Sequence, residues 1–240
     1  MPASDTRSST MKRMISIEKK YAVAQAYLQA KIAVLKDGYF DEIEWQNERR
    51  ILDLSEPELL SEAAWVILSA GISELVVRSK FVEISDAFLN WTSASEIANQ
   101  SAICHRKALR VFNHERKIGG IVAFVKAVAI ARFETVKARL SSEGLQYMEL
   151  LPGLGPVTRI HLAKNLGIDV AKPDRHLCRI AAACGYPDPR VLCEEIAFLT
   201  DDRVSVIDSV LWRYATLYRD YEEHFRRDLV KTQTENTCPA

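Results

Sequence analysis

Asp174 is the residue of this sequence whose type and position best suit catalysis. It stands in the segment IDVAKPDRH, directly before a stretch with helical periodicity that begins at Arg175. An aspartate at this position caps a helix, because its side chain accepts hydrogen bonds from the free N–H groups of the first turn. A carboxylate held in place can also stabilise a developing positive charge and polarise an attacking water molecule. We therefore interpret Asp174 as a catalytic carboxylate. A purely capping role is the alternative, and the two roles are compatible.

A turn with two glycines precedes this aspartate. The sequence LPGLG (151–155) separates two short predicted helices, at 145–150 and 156–165. Glycine allows positive φ and leaves no Cβ, so the backbone can approach another surface closely. The free N–H groups of Leu154, Gly155 and Val157, at the start of the second helix, form an anion site that the helix dipole strengthens. This turn can bind a phosphodiester without reading a base. The alternative is that Gly153 and Gly155 only permit close packing.

Basic and polar side chains could extend such a contact. Thr158 offers a hydroxyl group, and Arg159, His161 and Lys164 follow on the same predicted helix. The net charge of the chain is zero, but residues 41–75 hold nine acidic residues against two arginines, and residues 101–140 hold nine lysines and arginines against two acidic residues. A basic face of this kind suits a polyanion, and Arg116 and Lys117 are candidate phosphate contacts. The alternative is that these are solvated helix faces of different sign.

The elements that must position these residues are helices. Apolar residues recur at helical spacing along the 240 residues, and no stretch alternates convincingly with period two, so we predict an all-α fold. Ser55 with Glu58 and Ser93 with Glu96 have the spacing of capping boxes. Gly71 is predicted to end the helix that begins after Ser55.

Composition excludes several other classes. The apolar stretches are too short or too charged to span a bilayer, and the first ten residues lack the apolar core of a signal peptide. We expect a cytoplasmic protein, nucleoid-associated if the source is bacterial, and a monomer. Five cysteines without paired spacing predict free thiols, with neither a zinc site nor an iron–sulfur cluster.

The segment from LPGLG to Asp174 resembles the helix-hairpin-helix DNA glycosylase superfamily, which includes endonuclease III. The resemblance extends over about residues 58–218, through SEAAWVILSAGIS (61–73), VFNHERKIGGIV (111–122) and VIDSVLWRYA (206–215). It implies two helical lobes with a cleft between them. The implied divisions are a disordered segment at 1–10, N-terminal helices packing on the core lobe at 11–57, a helical lobe at 58–150, the hairpin and C-terminal helices at 151–218, and a tail at 219–240.

The same resemblance implies a function. The chain would flip a modified or mismatched base out of double-stranded DNA and hydrolyse its N-glycosidic bond, with Asp174 as the catalytic carboxylate. Members that also cleave the strand carry a lysine where this sequence has Val157, so lyase activity is not expected. The residue that fills the gap in the duplex would fall near Gly71. The alternative function is a non-catalytic DNA-binding module that retains the hairpin.

The resemblance also bears on bound ions and on the base. It implies a structural Na⁺ or K⁺ held by the backbone carbonyls of Glu149, Leu151 and Leu154, and no required cofactor. Two histidines, His161 and His176, could contact DNA or be structural residues. The aromatic side chains that could stack on a flipped base, or belong to the core instead, are Trp65, Trp91, Trp212, Tyr214 and Tyr218. No short motif specifies which base is excised.

Overall fold

This structure, a computed structural model, describes residues 15–227. Within them the chain is helical and contains no β-strand, which confirms the all-α prediction. The α-helices are α1 (Ile17–Lys36), α2 (Phe40–Glu48), α3 (Glu56–Ser69), α4 (Glu74–Ala87), α5 (Ala94–Asn99), α6 (Ser101–Val111), α7 (Glu115–Ala131), α8 (Phe133–Glu143), α9 (Leu145–Met148), α10 (Pro156–Asn165), α11 (Arg175–Ala183), α12 (Pro189–Thr200) and α13 (Val204–Leu217). Residues 221–227 are also helical. The predicted disordered segment 1–10 and the end of the tail lie outside the described residues.

Local sequence explains where several helices begin and end. Ser55 and Glu58 form the predicted capping box of α3, each side chain bonding to the backbone N–H of the other. Gly71 follows that helix with a φ of +74°, a conformation that favours glycine. Helix α7 runs without interruption through Gly119 and Gly120. No helix between residues 15 and 227 has the length and apolar character needed to cross a membrane.

Two clusters of buried apolar side chains form the core. The first cluster contains residues between Leu54 and Leu166, on helices from α3 to α10. The second cluster joins α1 and α2 to the helices after Ala171. Accordingly α1 packs against α12 and α13, at the opposite end of the sequence. The chain crosses from the first cluster to the second between Leu166 and Ala171, just before Asp174.

Arg203 holds the crossing segment in place. Its guanidinium donates hydrogen bonds to the carbonyl oxygens of Gln46, Asn47 and Arg49, and to that of Gly167 at 2.9 Å. Gly167 has a φ of +95°, and a Cβ there would lie 2.6 Å from the carbonyl oxygen of Arg49. Only glycine fits at this position. These contacts fix the end of α10 against the end of α2 and the beginning of α13.

Candidate active site

A cleft of about 910 Å³ opens between the two clusters. Its walls come from α3, α4 and α10 on the side of the first cluster, and from α2 and α13 on the side of the second. The loop that contains Gly71 also lines the cleft, and so do Lys172, Asp174 and Arg175. The cleft therefore collects polar side chains from parts of the sequence that are far apart.

Asp174 lies in this cleft and is the N-cap of α11. Its Oδ1 accepts hydrogen bonds from the backbone N–H groups of His176, at 2.8 Å, and Leu177, at 3.0 Å. The Oδ2 atom receives no hydrogen bond from any residue between 15 and 227. The capping role and a chemical role thus involve different oxygen atoms. One oxygen fixes the orientation of the carboxylate, and the other is available to a substrate or to water.

A buried ion pair forms the floor of the cleft beside Asp174. The amine of Lys164, on α10, donates to Oδ1 of Asp208, on α13, and also to the hydroxyl of Ser209 at 3.2 Å. The other oxygen of Asp208 accepts the backbone N–H of Lys172 at 2.6 Å. Burial raises the pKa of Asp208, and the ammonium group of Lys164 partly offsets that rise. The pair joins α10 and α13 across the two clusters and holds the segment that leads to Asp174.

The side chain of Lys172 also lines the cleft. Burial lowers the pKa of its amine, and the positive charge of Lys164 lowers it further, while the carboxylates of Asp174 and Asp208 act in the opposite direction. His161 lies nearby on α10. Burial, together with the charges of Lys172 and Lys164, holds the pKa of this imidazole well below its usual range. His161 is therefore neutral near pH 7.

The aromatic part of the cleft wall consists of Phe81 on α4 and three tryptophans, Trp45 on α2, Trp65 on α3 and Trp212 on α13. Each tryptophan carries a guanidinium over its ring. The groups are Arg49, 5.0 Å from the ring centre of Trp45, Arg78, 5.5 Å from that of Trp65, and Arg213, 4.7 Å from that of Trp212. Trp91 and Tyr214 are instead buried in the core, and Tyr218 stacks on Tyr214. The aromatic set that the sequence suggested thus divides between cleft and core, and Trp45 joins the cleft.

Glu62, on α3, adds a carboxyl group to the same wall. Its Oε2 accepts a hydrogen bond from the side-chain amide of Asn165 at 3.0 Å. Burial raises the pKa of this carboxyl group, although the bond from Asn165 lowers it. A flat heterocycle between the tryptophans would therefore meet both aromatic surface and a carboxyl group.

The two glycines of the LPGLG turn have different structural roles. Gly153 has a φ of +83°, and a Cβ there would lie 2.6 Å from the carbonyl oxygen of Gly120 in α7. Close packing within the protein therefore explains Gly153. Gly155 is the N-cap of α10, with a φ of −80°, and a Cβ there would lie in ordinary van der Waals contact, 3.9 Å from the hydroxyl oxygen of Thr158. Both glycines are exposed, so their backbone can contact a partner.

The first turn of α10 meets the requirements of the predicted anion site. The backbone N–H groups of Leu154, Gly155 and Val157 have no acceptor among residues 15–227. Gly155 and Val157 are exposed, and Val157 and Thr158 line the cleft. The free N–H groups are thus accessible at the cleft edge.

The basic candidates have separate surroundings. Arg159 forms an ion pair with Glu149 at 3.1 Å, and Arg116 is exposed on α7. Lys117 donates hydrogen bonds to the carbonyl oxygens of Ile67 and Ala70, at 2.5 and 2.7 Å, and so caps the end of α3. The interpretation of Lys164 as a phosphate contact is wrong, because its amine is buried against Asp208.

The backbone carbonyls of Glu149, Leu151 and Leu154 are compatible with the implied monovalent cation. None of the three oxygens accepts a hydrogen bond within the described chain. Neutral carbonyl oxygens are suitable ligands for a hard cation. They would fix the backbone between α9 and α10 and so hold the turn in shape. Cys104, Cys178, Cys184 and Cys193 are free thiols, and no group of metal-binding side chains occurs among residues 15–227.

The structure brings Asp174, Val157, Thr158 and Gly71 to one cleft. Gly153, Leu154, Gly155, Arg159, Arg116 and Lys117 do not line it. Reasoning from the sequence missed Glu62, Trp45 and Lys172. Lys172 had a signal, because it stands two residues before Asp174 in a segment already singled out. Glu62 had a weaker signal, because it lies in the segment 61–73 that carries part of the resemblance, whereas nothing near Trp45 in the sequence indicates a cleft.

No protein-family model, curated protein or solved structure matches this chain. Its function must therefore be inferred from the residues of the cleft.

Proposed function

We propose that this protein is a DNA N-glycosylase with two helical lobes, which binds duplex DNA across the cleft and hydrolyses the N-glycosidic bond of a flipped modified or mismatched base. The observation that carries the proposal is the free Oδ2 of Asp174, in a carboxylate oriented by two backbone bonds and placed in one cleft with the first turn of α10. In this proposal the two clusters of buried side chains would be the cores of the two lobes.

Each part of the site has a role in this reaction. The N–H groups at the start of α10 bind a backbone phosphate near the extruded nucleotide. Breaking the N-glycosidic bond develops positive charge on the sugar, as in other glycoside hydrolyses. The free oxygen of Asp174 stabilises that charge and orients the attacking water. Trp65 and Trp212 offer faces on which the flipped base stacks.

The test is a panel of duplex oligonucleotides that each carry one modified or mismatched base. Each duplex is incubated with the wild-type protein, and the free base is measured by mass spectrometry. We expect release from one class of base only, and release slowed at least about 10²-fold with Asp174→Asn. DNA binding without release from any duplex, unchanged by Asp174→Asn, would support a non-catalytic DNA-binding module instead.

A further inference from the structure

The outward face of α1 carries a stripe of large apolar residues. Its members are Ile17, Tyr21, Leu28 and Ile32, which are 67%, 58%, 43% and 53% exposed. Successive residues of a helix are about 100° apart, so these four lie within an arc of about 60°. Isolated exposed apolar residues are normal on a protein surface, whereas a continuous patch indicates a binding surface. Side chains between residues 15 and 227 leave this stripe uncovered.

The packing of α1 within the chain uses other faces of the helix. One face packs on α13 in the second cluster, where Tyr27, Ala30 and Val34 are fully buried. A flank of the helix is fixed to α12, because Lys20 forms an ion pair with Glu195 at 2.9 Å. These contacts explain why α1 is amphipathic on its inner side. They do not explain the apolar stripe on its outer side.

The spacing of the stripe fits a second copy of the same helix that runs in the opposite direction. The intervals between its members are four, seven and four residues, so the pattern is the same when read from either end. A two-fold axis through the middle of the stripe would place Ile17 opposite Ile32 of the other copy. The same axis would place Tyr21 opposite Leu28 of the other copy. Such a self-complementary surface is what a two-fold symmetric dimer requires.

The charges at the two ends of α1 favour the antiparallel orientation. Glu18 is exposed in the first turn of the helix, and Lys36 is exposed in the last turn. Lys19 and Lys20 are turned towards α12 and the residues before it. Antiparallel pairing brings each Glu18 carboxylate towards the Lys36 ammonium of the other copy, whereas parallel pairing would bring like charges together. The dipoles of the two helices also attract each other only when the helices are antiparallel.

We infer that α1 pairs with α1 of a second copy of this chain in an antiparallel dimer. The 20 residues of α1 span about 30 Å, and a contact of one helix per copy is smaller than a standard interface, which buries about 800 Å² per partner. The dimer is therefore weak, with a dissociation constant in the micromolar range. The monomer expected from the sequence is then the form present at lower concentrations. No residue of α1 lines the cleft, so the inference does not depend on the proposed function.

Sedimentation velocity of the full-length protein, in reducing buffer from low to high micromolar concentration, tests for this dimer. We expect a shift from monomer to dimer as the concentration rises. Ile32→Lys places a charge opposite Ile17 of the other copy, twice in each dimer, and should raise the dissociation constant at least about tenfold. Ile130→Lys, at a position of α7 that is 85% exposed, is the matched control and should dimerise like the wild type. Thermal unfolding of both variants shows whether they are folded.

Cross-linking tests the orientation of the two helices. Ile17→Cys and Ile32→Cys are each prepared with Cys178→Ser and Cys238→Ser, and are treated with a short bismaleimide. We expect a cross-linked dimer from the mixture of the two variants and little from either alone, because position 17 of one copy lies opposite position 32 of the other. Cross-linking of each variant with itself, as strong as in the mixture, would overturn the antiparallel pairing. A wild-type monomer at every concentration, or undiminished dimerisation of Ile32→Lys, would overturn the inference as a whole.

Discussion

Asp174 and Asp188 occupy the same position at the start of successive helices, but only Asp174 faces the cleft. Asp174 caps α11 through the N–H groups of His176 and Leu177, and Asp188 caps α12 through that of Val191 at 3.0 Å. Both are thus N-caps with similar local geometry. Comparing Asp174 with Asp188 separates the capping role of an aspartate from a chemical role, because Asp188 caps its helix without lining the cleft.

Asp174→Asn should strongly slow base release while leaving the fold intact. Asparagine caps helices about as well as aspartate, so we expect the free energy of unfolding to change by less than about 0.5 kcal/mol. Loss of the negative charge should slow base release by about 10² to 10⁴-fold. Single-turnover kinetics and urea unfolding measure the two effects. Asp188→Asn is the control: if it slowed base release as much as Asp174→Asn, a general effect on folding would be the explanation.

Lys164→Met should destabilise the protein strongly. It removes the partner of Asp208 and leaves a carboxylate buried without its counterion, which costs about 3–5 kcal/mol. Urea unfolding of the single variant and of Lys164→Met with Asp208→Asn measures this cost. The double variant should recover much of the loss, because asparagine is neutral and still accepts the N–H of Lys172. Equal destabilisation of both would show that lost packing, and not an unpaired charge, is responsible.

Gly153→Ala should be far more damaging than Gly155→Ala. The first combines a φ of +83° with a Cβ placed 2.6 Å from the carbonyl oxygen of Gly120, and we expect a loss of about 2–4 kcal/mol. The second places a Cβ at an ordinary contact distance of 3.9 Å from Thr158 Oγ1 and should cost less than about 1 kcal/mol. Thermal unfolding compares them. A similar loss for both would contradict the close approach of the turn to α7.

His161 should make the protein less stable in mild acid. Its pKa is lower in the folded chain than in the unfolded chain, so the unfolded chain binds the extra proton as the pH falls below about 6.5. Stability should decline there by up to about 1.4 kcal/mol per pH unit from this residue and remain constant above it. His161→Gln should flatten the profile between pH 7 and 5, measured by urea unfolding at each pH. An unchanged slope in this variant would assign the acid sensitivity to other groups, such as His176.

Arg116→Gln should reduce the salt dependence of DNA binding. Each phosphate contact contributes about 0.9 to the slope of log affinity against log salt concentration on duplex DNA. Losing the exposed guanidinium on α7 should lower that slope by about this amount, as measured by fluorescence anisotropy at several salt concentrations. Arg190→Gln, at an exposed position of α12 in the second cluster, should leave it unchanged. Equal slopes in all three proteins would place the DNA contact elsewhere.

Local signals predicted the helices well. Ser55 and Asp174 are the predicted caps of α3 and α11, and Gly71 follows α3 as predicted, because such signals act within a few residues. The predicted bounds of α10 agree with those observed. Ser73 is the N-cap residue of α4, although its side chain forms no capping hydrogen bond.

The cleft was only partly predictable. Asp174 and the turn before α10 are close in sequence, so their spacing revealed them. The partner of Lys164 is 44 residues away on α13, and Glu62 is 103 residues from its partner Asn165. Such pairings depend on how the helices pack. The amine of Lys164, which we expected to contact a phosphate, instead forms an ion pair with Asp208 inside the protein.

Helix α7 supports both edges of the proposed DNA-binding surface. Lys117 binds the end of α3, next to the loop with Gly71, and Gly120 packs against Gly153 of the hairpin. These two positions are one helical turn apart, a rise of about 4.5 Å. The distance between the Gly71 loop and the hairpin is therefore set by their two contacts on one rigid helix, and not by two independent loops. If duplex DNA is the partner, a backbone that does not match that span would contact one edge or the other, but not both at once.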